Sequence, residues 1–171
     1  MEYKILISGF GGQGILFLGK VIAQAAMYSG LEASWLPSYG PEMRGGTANC
    51  RVVISDEEIS SPAFNRADAV IAMNLPSLRR FASVADELII TDAKYESDGT
   101  SNARTVGIDT AKAYRGEEFE NLVNMLMLGA FSNVTDIIPF DKICQSIKTV
   151  AGELYAKKDI AAAEYGRMIK A

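Results

Sequence analysis

The sequence predicts an α/β fold: a three-layer, Rossmann-like domain with a mostly parallel sheet and a helical C-terminal third. Three observations carry this. A short β-forming run ends in a glycine cluster that opens a helical stretch. Further apolar runs of strand length follow through residue 108. From residue 118 onward, apolar residues recur at helical spacing. The 171 residues suit one domain over 1–171, long enough to bury its own core.

The elements follow in order. Residues 3–8 (YKILIS) read as the first strand, and Gly9-Phe-Gly-Gly-Gln-Gly14 as a loop. A helix runs from there to about Ser29, with Ile15, Leu18, Ile22 and Ala25 on one face and Gly30 as the residue that ends it. Residues 32–36 form a second strand, stopped by Pro37. This order predicts a parallel pair made by the first two strands. Residues 38–46 (SYGPEMRGG) are a turn-rich loop. Residues 47–55 read as a strand that makes the sheet mixed if it pairs antiparallel, and Asp56-Glu-Glu as a turn. Residues 68–73 and 87–91 suit central strands covered on both faces. Residues 76–84 lie between them as a helix with Pro76 in its first turn. Residues 105–108 are a further short strand. The segment 118–133 is apolar around most of a helix, so it is central in the domain or covered by a partner. Pro139 breaks the chain before two closing helices, 140–151 and 157–170.

Composition removes whole classes of chemistry. With no histidine, the chain cannot supply a Ser-His or Cys-His pair or a His-ligated metal. Cys50 and Cys144 are its only cysteines, too few for a Cys₄ zinc site or a four-thiolate cluster within one copy. Seventeen basic and twenty-one acidic residues give a net charge of −4, with no basic run to track nucleic acid. No apolar stretch is long enough for a bilayer, and the start lacks a signal-peptide pattern. A cytoplasmic protein is the expectation, without nucleic-acid or membrane partners.

Two motifs carry the functional signal. Gly9, Gly11 and Gly14 satisfy G-x-G-x-x-G between a strand and a helix, and Gly12 adds a fourth position without a side chain. Such a loop lets a ligand approach the backbone, and the helix start offers free N–H groups to a phosphate. The second strand ends Trp35-Leu36-Pro37-Ser38, without the acidic residue that holds the ribose of a dinucleotide, and Glu32 lies at its wrong end. That disfavours NAD. A plain packing role for the glycines stays open beside phosphate binding or partner contact. The 38–46 loop combines Tyr39, Glu42, Arg44, Gly45 and Gly46, and Arg44 suits a bidentate grip on a carboxylate or phosphate. An intraloop Glu42–Arg44 pair is its plainer role. Both loops are expected at the carboxyl end of the sheet, where open α/β sheets bind ligands. Asp92 and Asp109 follow strands and read as helix caps. Cys50, Cys144, Met125 and Met127 read as filling the interior.

With these residues in hand, the sequence resembles the gamma subunit of 2-oxoacid:ferredoxin oxidoreductases. The resemblance rests on Gly9-Phe-Gly-Gly-Gln-Gly14, on Ser38-Tyr-Gly-Pro-Glu-Met-Arg-Gly-Gly46, and on Val52-Val-Ile-Ser-Asp56. Ala69-Val-Ile-Ala-Met73 and Asn124-Met-Leu-Met-Leu-Gly-Ala130 follow in the same order, so essentially the whole chain is covered. It implies a complex that oxidatively decarboxylates a 2-oxoacid, forms an acyl-coenzyme A and passes electrons to ferredoxin. Thiamine diphosphate would sit between alpha and beta subunits, and iron–sulfur clusters in a ferredoxin-like delta subunit or domain. This chain would hold neither, would contribute no catalytic residue or metal ligand, and would be inactive alone. Its expected role is to shape the coenzyme A approach, or subunit assembly, with Gly9, Gly11, Gly12, Gly14, Tyr39, Glu42, Arg44, Gly45 and Gly46 as the binding residues. The form of the second motif leans toward pyruvate or branched-chain 2-oxoacids. The readings left beside this one are a free-standing nucleotide- or coenzyme-A-binding module and a purely structural subunit.

Overall fold

A computed structural model describes residues 1–38, 47–99, 101–114 and 119–169. One six-stranded sheet organises them. Its strands are β1 (Glu2–Phe10), β2 (Glu32–Ser38), β3 (Thr47–Ser55), β4 (Ala67–Ala72), β5 (Ala85–Asp92) and β6 (Arg104–Ile108). They lie in the order β2-β3-β1-β4-β5-β6. The pairs β1·β4, β4·β5 and β5·β6 are parallel, whereas β3 is antiparallel to both β1 and β2. The sheet is therefore mixed.

The expected parallel pair of β1 and β2 does not form. β3 returns between them, so the two strands share a direction without sharing hydrogen bonds. β2 then becomes the edge strand, and this explains how Pro37 sits within it. A proline lacks the N–H of an inner ladder position but is tolerated at an edge.

The helices are α1 (Ile15–Tyr28), α2 (Leu75–Phe81), α3 (Thr110–Tyr114), α4 (Val123–Thr135), α5 (Phe140–Ala151) and α6 (Glu153–Met168). On one face, α1 lies against β1, β2 and β3, and α4 against β5 and β6. α5 packs on α1 and α6 on α4. The larger core lies on this face, where Ile5, Ile7, Val52, Ile54, Ile71, Ile90 and Ile108 meet Leu18, Ile22, Met125 and Leu128. On the other face, Leu6, Val70 and Ile89 meet Leu78 and Ala82, with Phe64, Phe81 and Tyr95 around them. Here α2 and the 3₁₀ turns Ala82–Val84 and Ala93–Asp98 form the thinner third layer.

Boundaries shift where local geometry overrides periodicity. α4 starts at Val123, after Asn121 at φ 64° and a turn that closes through Leu122 N–H donating to Phe119 O, rather than at residue 118. α6 begins at Glu153, directly after Gly152 at φ 79°, rather than at residue 157. α3 follows β6 as one short turn capped by Asp109, which accepts from the Lys112 N–H at 2.9 Å. α4 is central, as its apolar circumference requires: it is covered by the sheet, α1 and α6. Contact with α6 is close enough that Gly129 and Gly166 lie against the backbone carbonyls of Ala163 and Leu126.

Candidate functional site

The carboxyl end of the parallel strands collects the candidate residues. β1 ends at Phe10 and feeds the glycine loop, β4 ends beside Met73 and Asn74, and α1 starts behind Gly14. The last residue of β2 and the first of β3 lie at the same end, with Ser38 opposite Asn49 and Thr47 opposite Phe10. Tyr39, Glu42, Arg44, Gly45 and Gly46 themselves lie outside the described residues.

The four glycines divide into two kinds. Gly9 is buried, and a Cβ there would meet Gln13 Oε1 at 2.7 Å and Met73 Cβ at 3.0 Å. Gly14 takes φ 74° as the N-cap of α1, and a Cβ would lie 2.3 Å from Asn124 Nδ2. These two glycines serve packing. Gly11 and Gly12 are exposed, with nothing within 4 Å of where a Cβ would stand. Gly12 has φ 89°, whereas Gly11 has no positive φ. The space in front of them is open to an incoming group.

Side chains around the loop explain its shape. Gln13 N–H donates to Phe10 O at 3.2 Å, and Gln13 Oε1 accepts from Phe10 N–H at 2.7 Å. Asn74 Nδ2 donates to the same Oε1 at 3.0 Å, and Gln13 Nε2 reaches Met73 O at 3.4 Å. Asn74 also caps α2, its Oδ1 accepting from Ser77 N–H at 2.8 Å. Asn124, at the first turn of α4, reaches Gly14 O at 3.4 Å through Nδ2. Beneath the loop, the Ser8 hydroxyl lies 3.1 Å from Ala48 O and 3.0 Å from Ser77 Oγ, joining β1, β3 and α2. Gln13, Asn74 and Asn124 are the residues that motif reading passes over. Gln13 stands inside the glycine motif, and Asn74 precedes Leu-Pro as an N-cap, so both carried a sequence signal.

Beside the loop, Phe10, Gly11, Gly12, Gly14, Ile15, Leu16, Phe17 and Ala48 line a cavity of about 290 Å³. Its walls are apolar side chains and backbone. The α1 start has no side-chain cap and no acidic residue in its first turn, so no carboxylate there offsets the positive end of the helix. A chemically suitable guest has an anionic group for the backbone N–H side and apolar surface for the Phe10–Phe17 side.

The far half of the same end is arranged differently. Asp92 caps the Ala93–Asp98 turn through Lys94 N–H at 3.1 Å, accepts from the Thr110 hydroxyl, and pairs with Lys94 Nζ at 3.1 Å. The hydrogen bond to Asp92 raises the pKa of Lys94. These contacts satisfy one another, which fits a capping role. An opening of about 540 Å³ lies near α3, lined by Asp109, Lys112, Tyr165, Met168 and Ile169. Cys50 is fully buried in β3 against α1 and near Trp35, and burial pushes its thiol up to about 12. Cys144 is half-buried on α5, so the two thiols lie in different layers.

The comparisons with known proteins converge on one family. The pyruvate ferredoxin/flavodoxin oxidoreductase family model matches residues 4–169. The chain belongs to that family. Ketoisovalerate oxidoreductase subunit VorA of Methanothermobacter thermautotrophicus is 43% identical over 130 residues, which cover 75% of this chain and 27% of VorA. The chain thus corresponds to about a quarter of that relative's length. 2-Oxoglutarate synthase subunit KorC of Methanothermobacter marburgensis is 34% identical over 178 residues, covering 98% of this chain and 96% of KorC. Among solved structures, the keto/oxoacid ferredoxin oxidoreductase gamma subunit of Geobacter sulfurreducens superposes with a TM-score of 0.83 at 25% identity, covering 96% of this chain and 95% of that one. The sequence resemblance to a gamma-type chain therefore holds over the whole fold. Among the described residues, no helix is long and apolar enough to cross a membrane.

Proposed function

We propose that this chain is the gamma-type component of a thiamine-diphosphate-dependent 2-oxoacid:ferredoxin oxidoreductase, and that its carboxyl edge shapes the approach of coenzyme A. The carrying observation is the division of the glycines. Gly11 and Gly12 stay open beside an apolar cavity and an uncapped helix start, although the rest of the motif is packed tightly. Coenzyme A is both anionic and amphipathic, as that edge requires.

Thiamine diphosphate supplies the carbanion chemistry of such enzymes. The donor set here does not suit the iron–sulfur clusters. Two cysteines in separate layers cannot give four thiolates. The clusters are therefore assigned to a delta partner, and the family resemblance assigns thiamine diphosphate to alpha and beta partners, with ferredoxin as the acceptor of the complex. What this chain contributes is position: backbone N–H groups near Gly11 and Gly12, and, from the sequence motif, the Arg44 guanidinium. The isolated chain is expected to reduce neither ferredoxin nor viologen.

The test is the coenzyme A KM of the assembled complex. Arg44→Ala and Gly11→Val should each raise it while the 2-oxoacid KM stays constant. Unchanged coenzyme A KM values, with assembly intact, would remove the edge from this role. Weakened subunit association with unchanged kinetics would assign the edge to assembly instead.

A further inference from the structure

We infer that Gln13 and Asn74 form an amide clamp that positions Gly11 and Gly12, and that the first glycine of the motif exists to make room for it. The inference rests on the proposed coenzyme A role of this edge and assigns the residues that hold it in shape.

The geometry is reciprocal. The Gln13 backbone donates to Phe10 O, and the Gln13 side chain accepts from Phe10 N–H, so residues 10–13 are closed from both ends. This is the logic of a capping box, in which a side chain returns to the backbone a few residues earlier. On its own, such a turn would pivot on β1. Asn74 prevents that by donating to the same Gln13 oxygen from the end of β4 at 3.0 Å. Gln13 Nε2 adds a longer bond to Met73 O at 3.4 Å. Asn74 is itself held by the α2 cap it makes with Ser77 N–H, and it is buried. The loop is thereby tied to the strand beside β1 through two uncharged amides.

The clamp accounts for Gly9. A methyl group there would stand 2.7 Å from Gln13 Oε1, the atom that accepts both bonds. The glycine usually read as giving way to a phosphate here gives way to a glutamine. The open glycines are those between the two ends of the clamp. Gln13 and Asn74 are thus positioning residues: they act on a ligand through the backbone of residues 11–12.

Asn74→Ser separates the clamp from the cap. Serine caps a helix about as well as asparagine, so α2 keeps its start, but the shorter side chain lacks the amide Nδ2 that reaches Gln13. Gln13→Leu removes the other half. In the assembled complex, each should raise the coenzyme A KM about three- to tenfold, the size of one net hydrogen bond, with the 2-oxoacid KM unchanged. The two should not add, because Asn74→Ser in a Gln13→Leu background removes a bond already gone. Additive effects, equal effects on both KM values, or a normal coenzyme A KM in assembled Asn74→Ser would overturn the clamp. Gly11→Val serves as the reference. If it raises the coenzyme A KM and the clamp variants do not, the clamp fails and the proposed function stands. If it does nothing, the proposed function fails, and the clamp's role in coenzyme A binding fails with it.

Discussion

Gly129→Ala puts the joint between α4 and α6 under a measurable load. The added Cβ would stand 1.9 Å from the Ala163 carbonyl oxygen and 2.9 Å from Arg167 N. An ordinary contact begins near 3.4 Å, so about 1.5 Å of room is missing. Both neighbours are backbone, and no rotamer change relieves them. The helices must part or roll, at a cost of roughly 1–3 kcal/mol for overpacking, or somewhat more. Against this, alanine in a helix interior gains roughly 0.5–1 kcal/mol over glycine. The net expectation is a loss of about 2 kcal/mol. For a chain of this size that lowers Tm by roughly 4–8 °C. Thermal unfolding of the purified chain followed by circular dichroism reads it, with Gly11→Ala as the control expected to shift stability by no more than about 0.5 kcal/mol. A Gly129→Ala protein that melts at or above the parent temperature would refute the close-packing argument, because helix propensity would then have won.

Other outcomes follow from burial. Cys50 should resist thiol reagents at pH 8 while Cys144 reacts, and both should react in denaturant; rapid labelling of two thiols in the folded chain would contradict the placement of Cys50. Burial raises the Cys50 pKa from its ordinary value of 9.0 to about 12, so the unfolded chain releases this proton first. Cys50→Ala should therefore flatten the fall of stability between those two pH values, as read by denaturant titrations at several pH values. Asp159 is buried on α6, and desolvation raises its pKa, with Lys158 partly opposing. Its folded form thus favours the proton, and stability is lost as pH rises through the folded pKa. Asp159→Asn should raise Tm at pH 7 and leave it unchanged near pH 3; a lower Tm at pH 7 would show a favourable partner for the carboxylate.

Much of the fold could be read locally. The runs that became β4 and β5 announced themselves because central strands are apolar on both faces, those of β1 and β3 through their β-forming residues, and the glycine cluster marked the passage into α1. Strand order could not be read, because the insertion of β3 between β1 and β2 is decided by contacts remote in sequence. The α4 boundary was hidden because Leu122 and Phe119 continue the apolar pattern through the turn that precedes the helix. At the site, the four glycines of the motif look alike in sequence. What separates Gly9 and Gly14 from Gly11 and Gly12 is a Gln13 amide and an Asn124 amide, the second brought from 110 residues away. Gln13 meets Phe10 at a local spacing, but the Asn74–Gln13 bond and the approach of Asn124 to Gly14 join residues remote in sequence and emerge only when the chain has folded.

A gamma-type chain works inside a larger oxidoreductase. Affinity capture of the tagged chain from its native host, with identification of its companions and assay of iron, thiamine diphosphate and viologen reduction, measures this directly. The prediction is co-purification with brown, iron-containing chains of similar abundance that bring thiamine diphosphate and coenzyme-A-dependent 2-oxoacid oxidation. A chain recovered alone and colourless, or one that catalyses viologen reduction by itself, would contradict it.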